Sequence, residues 1–518
     1  MSQPLRRLVL TLCLSLPAVG ALPAQEASTP APASAPETAP AAVAVAPTPA
    51  AAESELTLKE CVIRALHKNF DLDIGRYNPE IAKDAIEVSK GAYEAQISAT
   101  SSYGESKTGF SAVGDPTVSS TTGDVRVGVT QQLYTGTSLS ATTSLIRSST
   151  NPALIFNPAY NADLTLAARQ SLLRGFGTEA NKAPIERAKL GFDRANLDYQ
   201  GQILQVVQAT ENAYFNLAFA REDLAVKTFS LTLAERLFDE AKTRRQTGVA
   251  TDLDVLTGEV GVANARRSLV QAEQAVKDRQ DALLALIGQF ELDAPVGKVK
   301  FLDFLMDASP VYVSSLELAK QHQPEYLSAK AAIEQYKLDI KVAHDSAKAD
   351  LSVGAAVGLN GKNRSTGNVY GDVFDADNNS WQVDVAFTYP WGRGAERARE
   401  RQSRSTLNRE EARLRQLEQS LEVNVRSAVR SVETNIESAK IAALASSLSE
   451  KQYELEKARF DAGLSTSRRV LEAQDDLETA RVAELDAKVA LHVSVAALHR
   501  LEGTGLARYA AEMENAQK

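Results

Sequence analysis

Residues 241–288, AKTRRQTGVATDLDVLTGEVGVANARRSLVQAEQAVKDRQDALLALIG, align without a gap on residues 456–503, EKARFDAGLSTSRRVLEAQDDLETARVAELDAKVALHVSVAALHRLEG, at an offset of 215. The identities include Lys242 with Lys457, Arg244 with Arg459, Gly248 with Gly463, Thr251 with Thr466, Val255 with Val470 and Leu256 with Leu471. They continue through Ala265/Ala480, Arg266/Arg481, Ala272/Ala487, Leu283/Leu498, Leu286/Leu501 and Gly288/Gly503. Chance similarity between helices would match scattered Ala and Leu. The same Gly, Thr and Arg at fixed spacing mark an internal repeat. A fainter echo joins the starts of the two halves at an offset of 254, where Ala95-Gln96-Ile97-Ser98 falls on Ala349-Asp350-Leu351-Ser352 and Gly104 on Gly358. Each half thus runs in one order: a helical lead-in, alternating β segments, a very long helix, a Gly-marked turn and a shorter helix.

Upstream of each turn lies a long stretch with helical character. Residues 178–247 contain one proline, Pro184, near the start where a helix tolerates it, and residues 396–462 contain none. In the second stretch Leu407, Leu414, Leu421 and Ala428 recur at heptad spacing, with Val425, Val432 and Ala439 beside them. Such a helix is a rod of roughly 100 Å, and the roughly 36 residues after each turn add an arm of roughly 55 Å, ending at Gly288 or Gly503. Abundant Ala and few aromatics along these rods suit coiled-coil packing better than a globular core.

The β segments alternate with period two. Val125, Val127 and Val129 interleave with Arg126, Gly128 and Thr130; Leu351, Val353, Ala355, Val357 and Leu359 with Ser352, Gly354, Ala356 and Gly358; Val383, Val385, Phe387 and Tyr389 with Gln382, Asp384, Ala386 and Thr388. Two further candidates, about 137–146 and 162–171, occur only in the first half. Segments of about ten residues with one apolar and one small or polar side suit transmembrane barrel strands, although a half-buried sheet in a soluble protein reads alike. Gly/Ser/Asn/Asp-rich stretches at 104–122, 148–161 and 360–380 read as loops between the strands.

The amino terminus favours the barrel. Arg6 and Arg7 precede an apolar run from Leu8 to Leu16 and a small-residue stretch to Ala24, the pattern of a cleaved secretory signal over 1–24. That run is too short to span a bilayer, and no later stretch holds 18 uninterrupted apolar residues. Residues 25–53 are nearly all Ala, Pro, Ser, Thr and Glu, a composition that cannot repay the entropy of ordering, and read as a disordered linker. In all, 518 residues, 44% hydrophobic and 24% charged, leave no case for global disorder. A formal charge of −9 argues against a duplex-binding protein. Cys13 leaves with the signal, and Cys61 alone makes neither a disulfide framework nor a zinc site.

With these features the chain resembles the TolC-type outer-membrane factor family over about residues 55–505. The specific elements are Arg244-x3-Gly248-Val249-x-Thr251-x3-Val255-Leu256 and Arg459-Phe460-x2-Gly463-Leu464-x-Thr466-x3-Val470-Leu471-Glu472-Ala473-Gln474. Gln170-Ser171-Leu172-Leu173-Arg174-Gly175-Phe176-Gly177 looks like a strand-to-helix signature of a family branch, with Tyr389-Pro390-Trp391-Gly392 in the same place in the second half. The resemblance implies a mainly α fold with β: a long antiparallel coiled-coil tunnel plus membrane strands, the barrel completed by homotrimerisation in outer-membrane lipid. The family supplies four strands per protomer; the two extra candidates here imply four or six. The expected divisions are a first repeat at 54–290, a connector at 291–312, a second repeat at 313–505 and a tail at 506–518.

The expected function is export through the outer membrane, carrying small molecules or secreted polypeptide from a periplasmic adaptor and inner-membrane pump, without cofactor, nucleic acid or enzymatic step. A structural or adhesive envelope protein is the alternative, but a spacer has no need of two equivalent helix-turn tips. The resemblance places adaptor docking at those tips, on Arg244, Gly248, Val249, Thr251, Arg459, Gly463, Leu464 and Thr466. By motif position Asp254 and Glu472 match family acids that line or latch the periplasmic aperture. The counterpart of Asp254 is Arg469, where a family acid often stands, while Ser465 replaces a latching Arg and Phe460 its Tyr neighbour. An Asp254–Arg469 pair between neighbouring helices is the expected substitute. No catalytic or metal site is expected: His492 and His499 lie two helical turns apart, and Asp375-x-Asp377-x-Asn379 lacks the Gly and Glu of a calcium loop.

Overall fold

Long helices dominate because two stretches of nearly seventy residues run on with no proline except Pro184, near the start of the first. The computed structural model describes residues 56–109, 118–151, 157–248, 250–288, 299, 309–375 and 377–509. The signal, the linker and most of the expected connector lie outside these residues. The first half contains α1 (Leu58–Lys68), α2 (Phe70–Gly75), α3 (Tyr77–Gly91), β1 (Gln96–Thr108), β2 (Val118–Gln132), β3 (Thr137–Asn151), β4 (Ala159–Ser171), α4 (Thr178–Gln246) and α5 (Asp252–Leu286). The second contains α6 (Tyr312–His322), α7 (Pro324–Ser346), β5 (Asp350–Asn363), α8 (Thr366–Phe374), β6 (Asn379–Thr388), α9 (Gly394–Asp461) and α10 (Ser467–Glu502).

The two hairpins have nearly equal arms, 69 and 35 residues in α4 and α5, 68 and 36 in α9 and α10. They lie side by side in the order α5–α4–α10–α9 on the turn side, while α3, α4, α7 and α9 are neighbours toward the sheet. Apolar residues along facing stripes hold them. Leu421, Val425, Val429 and Val432 of α9 pack with Leu491, Val495 and Leu498 of α10 and with Ala319 of α6. In the other half Cys61, Val62 and Ala65 of α1 pack with Val207, Tyr214 and Leu217 of α4 and with Leu283 and Ile287. Each burial of a Val or Leu side chain contributes about 1.5–3 kcal/mol. His492 belongs to this packing: its ring is buried and stacks on Phe215 at 4.0 Å between centroids.

Among the described residues six strands form one antiparallel sheet in sequence order, β1 to β6, so the two extra segments of the first half are strands. The register keeps the two faces distinct, with Val125 opposite Leu145, Leu164 opposite Leu359 and Val353 opposite Val385. The apolar face is solvent-exposed in the protomer, including Ile97, Val127, Leu166, Val357, Val383 and Phe387. The opposite face is polar, with Arg169 donating to Asp384 at 2.8 Å and to Ser352 at 3.1 Å. Among the described residues no helix is long and apolar enough to cross a membrane.

The loop expectations are corrected: strands run into 104–122 and 148–161, where β1 reaches Thr108, β2 starts at Val118, β3 reaches Asn151 and β4 starts at Ala159. The stretch 360–380, read as loop, contains α8. Its Gly, Asn and Asp content hides two valines one turn apart, Val369 and Val373, which find an apolar partner only once the sheet exists.

Candidate functional site

Both turns end a long helix in the same way. Gly248 and Gly463 hold φ of 76° and 74°, a left-handed backbone that glycine adopts without a side-chain clash. Their amides donate to Arg245 and Phe460 carbonyls, each at 2.9 Å, closing the last turn. The next chain segment is tied back by Ala250 N–H to the Arg244 carbonyl at 3.2 Å and Leu464 N–H to the Arg459 carbonyl at 2.8 Å. Val249 lies outside the described residues. A Cβ at either glycine would meet nothing within 4 Å, so the turns face open space. Leu464 at the second turn is 77% exposed, and Leu253 and Leu256 after the first turn are exposed too, leaving apolar surface at each tip.

The arginines stiffen the tips. Arg244 pairs with Glu240 at 2.6 Å and lays its guanidinium 4.0 Å over the Phe460 ring, joining the first hairpin to the second. Arg245 bridges its turn to Asp252 at 2.5 Å. Arg459 pairs with Glu456 at 3.4 Å, and Ser465 donates a short hydrogen bond to the same carboxylate. That hydroxyl, with the positive charge of Arg459 and Arg469, holds Glu456 below the usual carboxylate range.

The helices that leave the turns start differently. Thr251 caps α5: its hydroxyl accepts from Asp254 N–H at 3.3 Å, and the Asp254 carboxylate accepts from Thr251 N–H at 2.8 Å. This is a reciprocal capping box. Thr466 occupies the same place before α10 but its side chain makes no cap bond. The residue three positions on is Arg469, which has no acceptor to return. The expected Asp254–Arg469 pair is therefore not how this protomer uses Asp254. Its carboxyl is held low by the Thr251 hydroxyl and amide, with a smaller contribution from Ser467 at the start of α10. Glu472 pairs with Arg468 at 2.9 Å on an exposed face.

A second junction was not legible in the sequence. Lys227 of α4 meets Glu478 of α10 at 2.6 Å, Ser230 donates to the same carboxylate, and buried Gln474 donates to the Ser230 carbonyl and hydroxyl at 2.9 and 3.0 Å. The one available signal was asymmetry: Gln474 and Glu478 replace Glu259 and Ala263 of the first copy.

Paired helical hairpins, two solvent-facing tips and a sheet with an exposed apolar face define an outer-membrane channel of the TolC type. The outer membrane efflux protein family model matches residues 138–289 and 315–504. The chain belongs to this family and is an outer-membrane channel for efflux. It is 22% identical over 361 residues to the pyoverdine export outer membrane protein OpmQ of Pseudomonas putida, covering 63% of this chain and 75% of the relative. Its fold is that of the outer-membrane channel OprN, with a TM-score of 0.67 at 17% identity over 86% of this chain and 90% of the other. It is also similar to the Campylobacter jejuni CmeC outer membrane channel, with a TM-score of 0.65 at 17% identity over 86% of each chain.

Proposed function

We propose that the channel works as a homotrimer whose barrel has eighteen strands, six from each protomer, continuous with a helical tunnel that reaches into the periplasm. Free edges carry this reading. β1 and β6 each have a strand on one side only, and an unpaired edge in lipid costs several kcal/mol per backbone group. The outer helices have matching needs: Leu253, Leu256, Val260 and Val270 of α5, and Ile441, Leu444, Leu448 and Leu455 of α9, are exposed apolar residues on the two flanks of the hairpin row. A ring of three copies satisfies both. A barrel of this size holds an aqueous passage.

The repeats at 54–290 and 313–505 are then two copies of one unit joined by 291–312, and the signal and linker precede them. The tips at Arg244, Gly248, Val249, Thr251, Arg459, Gly463, Leu464 and Thr466 receive a periplasmic adaptor that links the tunnel to an inner-membrane pump. Their open glycines and exposed leucines support close approach by a partner helix. Threefold repetition of Asp254, Arg469 and Glu472 gives the aperture a charged rim, which biases ion passage. The cargo follows the pump and is small molecules or secreted polypeptide; export of pyoverdine by OpmQ favours small molecules. Native mass of the detergent-extracted mature protein, followed by adaptor cross-linking from cysteines at 248 and 463, tests the reading. A trimer that cross-links supports it, and a monomer would overturn the shared barrel.

A further inference from the structure

The β5–β6 connection carries a helix, α8. α8 lies on the apolar face of the sheet. Val369 and Val373 are 0% and 1% exposed and pack on Ala162, flanked by Leu145, Tyr160, Leu164 and Leu359. Gly361 permits the approach: a Cβ there would stand 2.3 Å from the Val369 carbonyl oxygen and 2.9 Å from Val373 Cγ2. Alternation along β4 and β5 puts Ala162, Leu164 and Leu359 on the same side as Leu166 and Val357, the exposed band that faces lipid when the barrel closes. α8 is therefore on the outer wall of the barrel, not in its lumen.

At about 100° per residue, the rest of α8 divides into two flanks. One carries Tyr370 and Phe374, both exposed. The other carries Asn368, Asp372 and, at the helix end, Asp375. Asp372 accepts from Asn363 Nδ2 at 2.9 Å, and Asn363 ends β5 at the rim remote from the long helices. The acidic flank is thus tied to the rim, which turns the aromatic flank toward the apolar band. Valines against the wall, aromatics toward lipid and acids toward water are the arrangement of a helix lying in a membrane interface.

We propose that α8 is an interfacial helix that seats the outer rim of the barrel in the outer leaflet, with Tyr370 and Phe374 at the boundary between headgroups and acyl chains. The occupant of its exposed flank is lipid. α8 rests on β4 and β5 and leans toward β3, inside the free edges of the sheet, and its aromatic flank continues the apolar band. The inference rests on the channel reading, and the controls separate the two.

The test uses the mature channel, without the signal and its Cys13, in phosphatidylcholine vesicles with brominated acyl chains. Phe374→Cys, Asp377→Cys and Val385→Cys variants are each labelled with an environment-sensitive fluorophore; Cys61 is fully buried and stays unlabelled. Position 374 is expected to lose most emission to brominated lipid and little to aqueous iodide, as position 385 does, with the reverse at 377. Adding Val373→Asp, which undocks the helix, should abolish lipid quenching at 374 and leave 385 unchanged. Iodide quenching at 374 with lipid quenching at 385 would overturn the proposal alone. Shielding of 374 from both quenchers would mean protein covers it and would equally overturn it. Absence of lipid quenching at 385 would bring down the barrel reading, and the interfacial helix with it.

Discussion

Asp254 shows how one residue serves two readings that a single pair of variants separates. Asp254→Ala removes the reciprocal partner of Thr251 and should cost about 1 kcal/mol of tip stability, seen as a lower thermal midpoint. Asp254→Asn keeps an acceptor and removes the charge. If the acid shapes the aperture, the Asn variant keeps much of its midpoint yet changes conductance in planar bilayers, as should Arg469→Ala; unchanged conductance in both leaves Asp254 a cap. The capping contribution has a pH sign. A carboxyl held below its ordinary value of 3.8 contributes fully above that value and loses its contribution as pH falls through the depressed one. Glu211 has the opposite sign. Burial raises its carboxyl above 4.5, against the lowering effect of the Tyr509 hydroxyl at 2.5 Å and of Arg508 at 3.9 Å. The folded chain therefore binds this proton more tightly than the unfolded one, so stability is full below about 4.5 and declines as pH rises through the raised value. Glu211→Gln should melt higher than the parent at neutral pH, and the gap should close below pH 4.5. A pH-independent gap would remove the carboxyl from the explanation.

Between the two hairpins, α4 and α10 form a seam in which Leu233 and Leu237 meet Val470, Ala473 and Leu477, with Tyr453 and Phe460 of α9 closing it. Leu477→Ala should leave a cavity there and cost about 2–5 kcal/mol. Leu455→Ala, on the exposed flank of α9, removes nothing buried within the protomer and should leave the protomer's own packing intact. Equal losses of hydrogen-exchange protection along α4 and α10 in the two variants would contradict this division. The long helices and their turns were legible because heptad stripes and left-handed glycines are local properties of sequence. Gly248 and Gly463, which end the two long helices, could be found for the same reason. What escaped was set by partners distant in the chain. α8 has only two core valines, whose partners lie on β3, β4 and β5; the Ser230–Gln474 and Lys227–Glu478 contacts depend on how one hairpin lies against the other. The Asp254–Thr251 contact was missed for a local reason: Asp254 sits at the third position after Thr251, where a helix start offers it an amide and a hydroxyl at no cost in chain entropy.

Across the whole molecule, the row α5–α4–α10–α9 has two unsatisfied flanks, and the hairpin lengths set how they would meet. α5 starts and α9 ends at the tips, so at about 1.5 Å per residue Val270 stands roughly 27 Å from its tip and Leu444 roughly 26 Å from its own. Both are exposed apolar residues, and no α5–α9 packing within the protomer brings them together. If one protomer's α9 lies against the next protomer's α5, these positions are at one height, and adjacent helices there come within reach of a disulfide. The double variant Val270→Cys, Leu444→Cys should give covalent dimers and then trimers on mild oxidation, and neither single variant should. Cys61 will not confuse the result, because burial leaves it fully covered and pushes its thiol up to about 12. Trimer bands in non-reducing gels would fix both the neighbour and the register of the ring, which in turn sets how β1 of one copy meets β6 of the next. Monomer alone, with both thiols still titratable, would mean that the apolar flanks serve some other contact and that the sheet edges must be covered in another way.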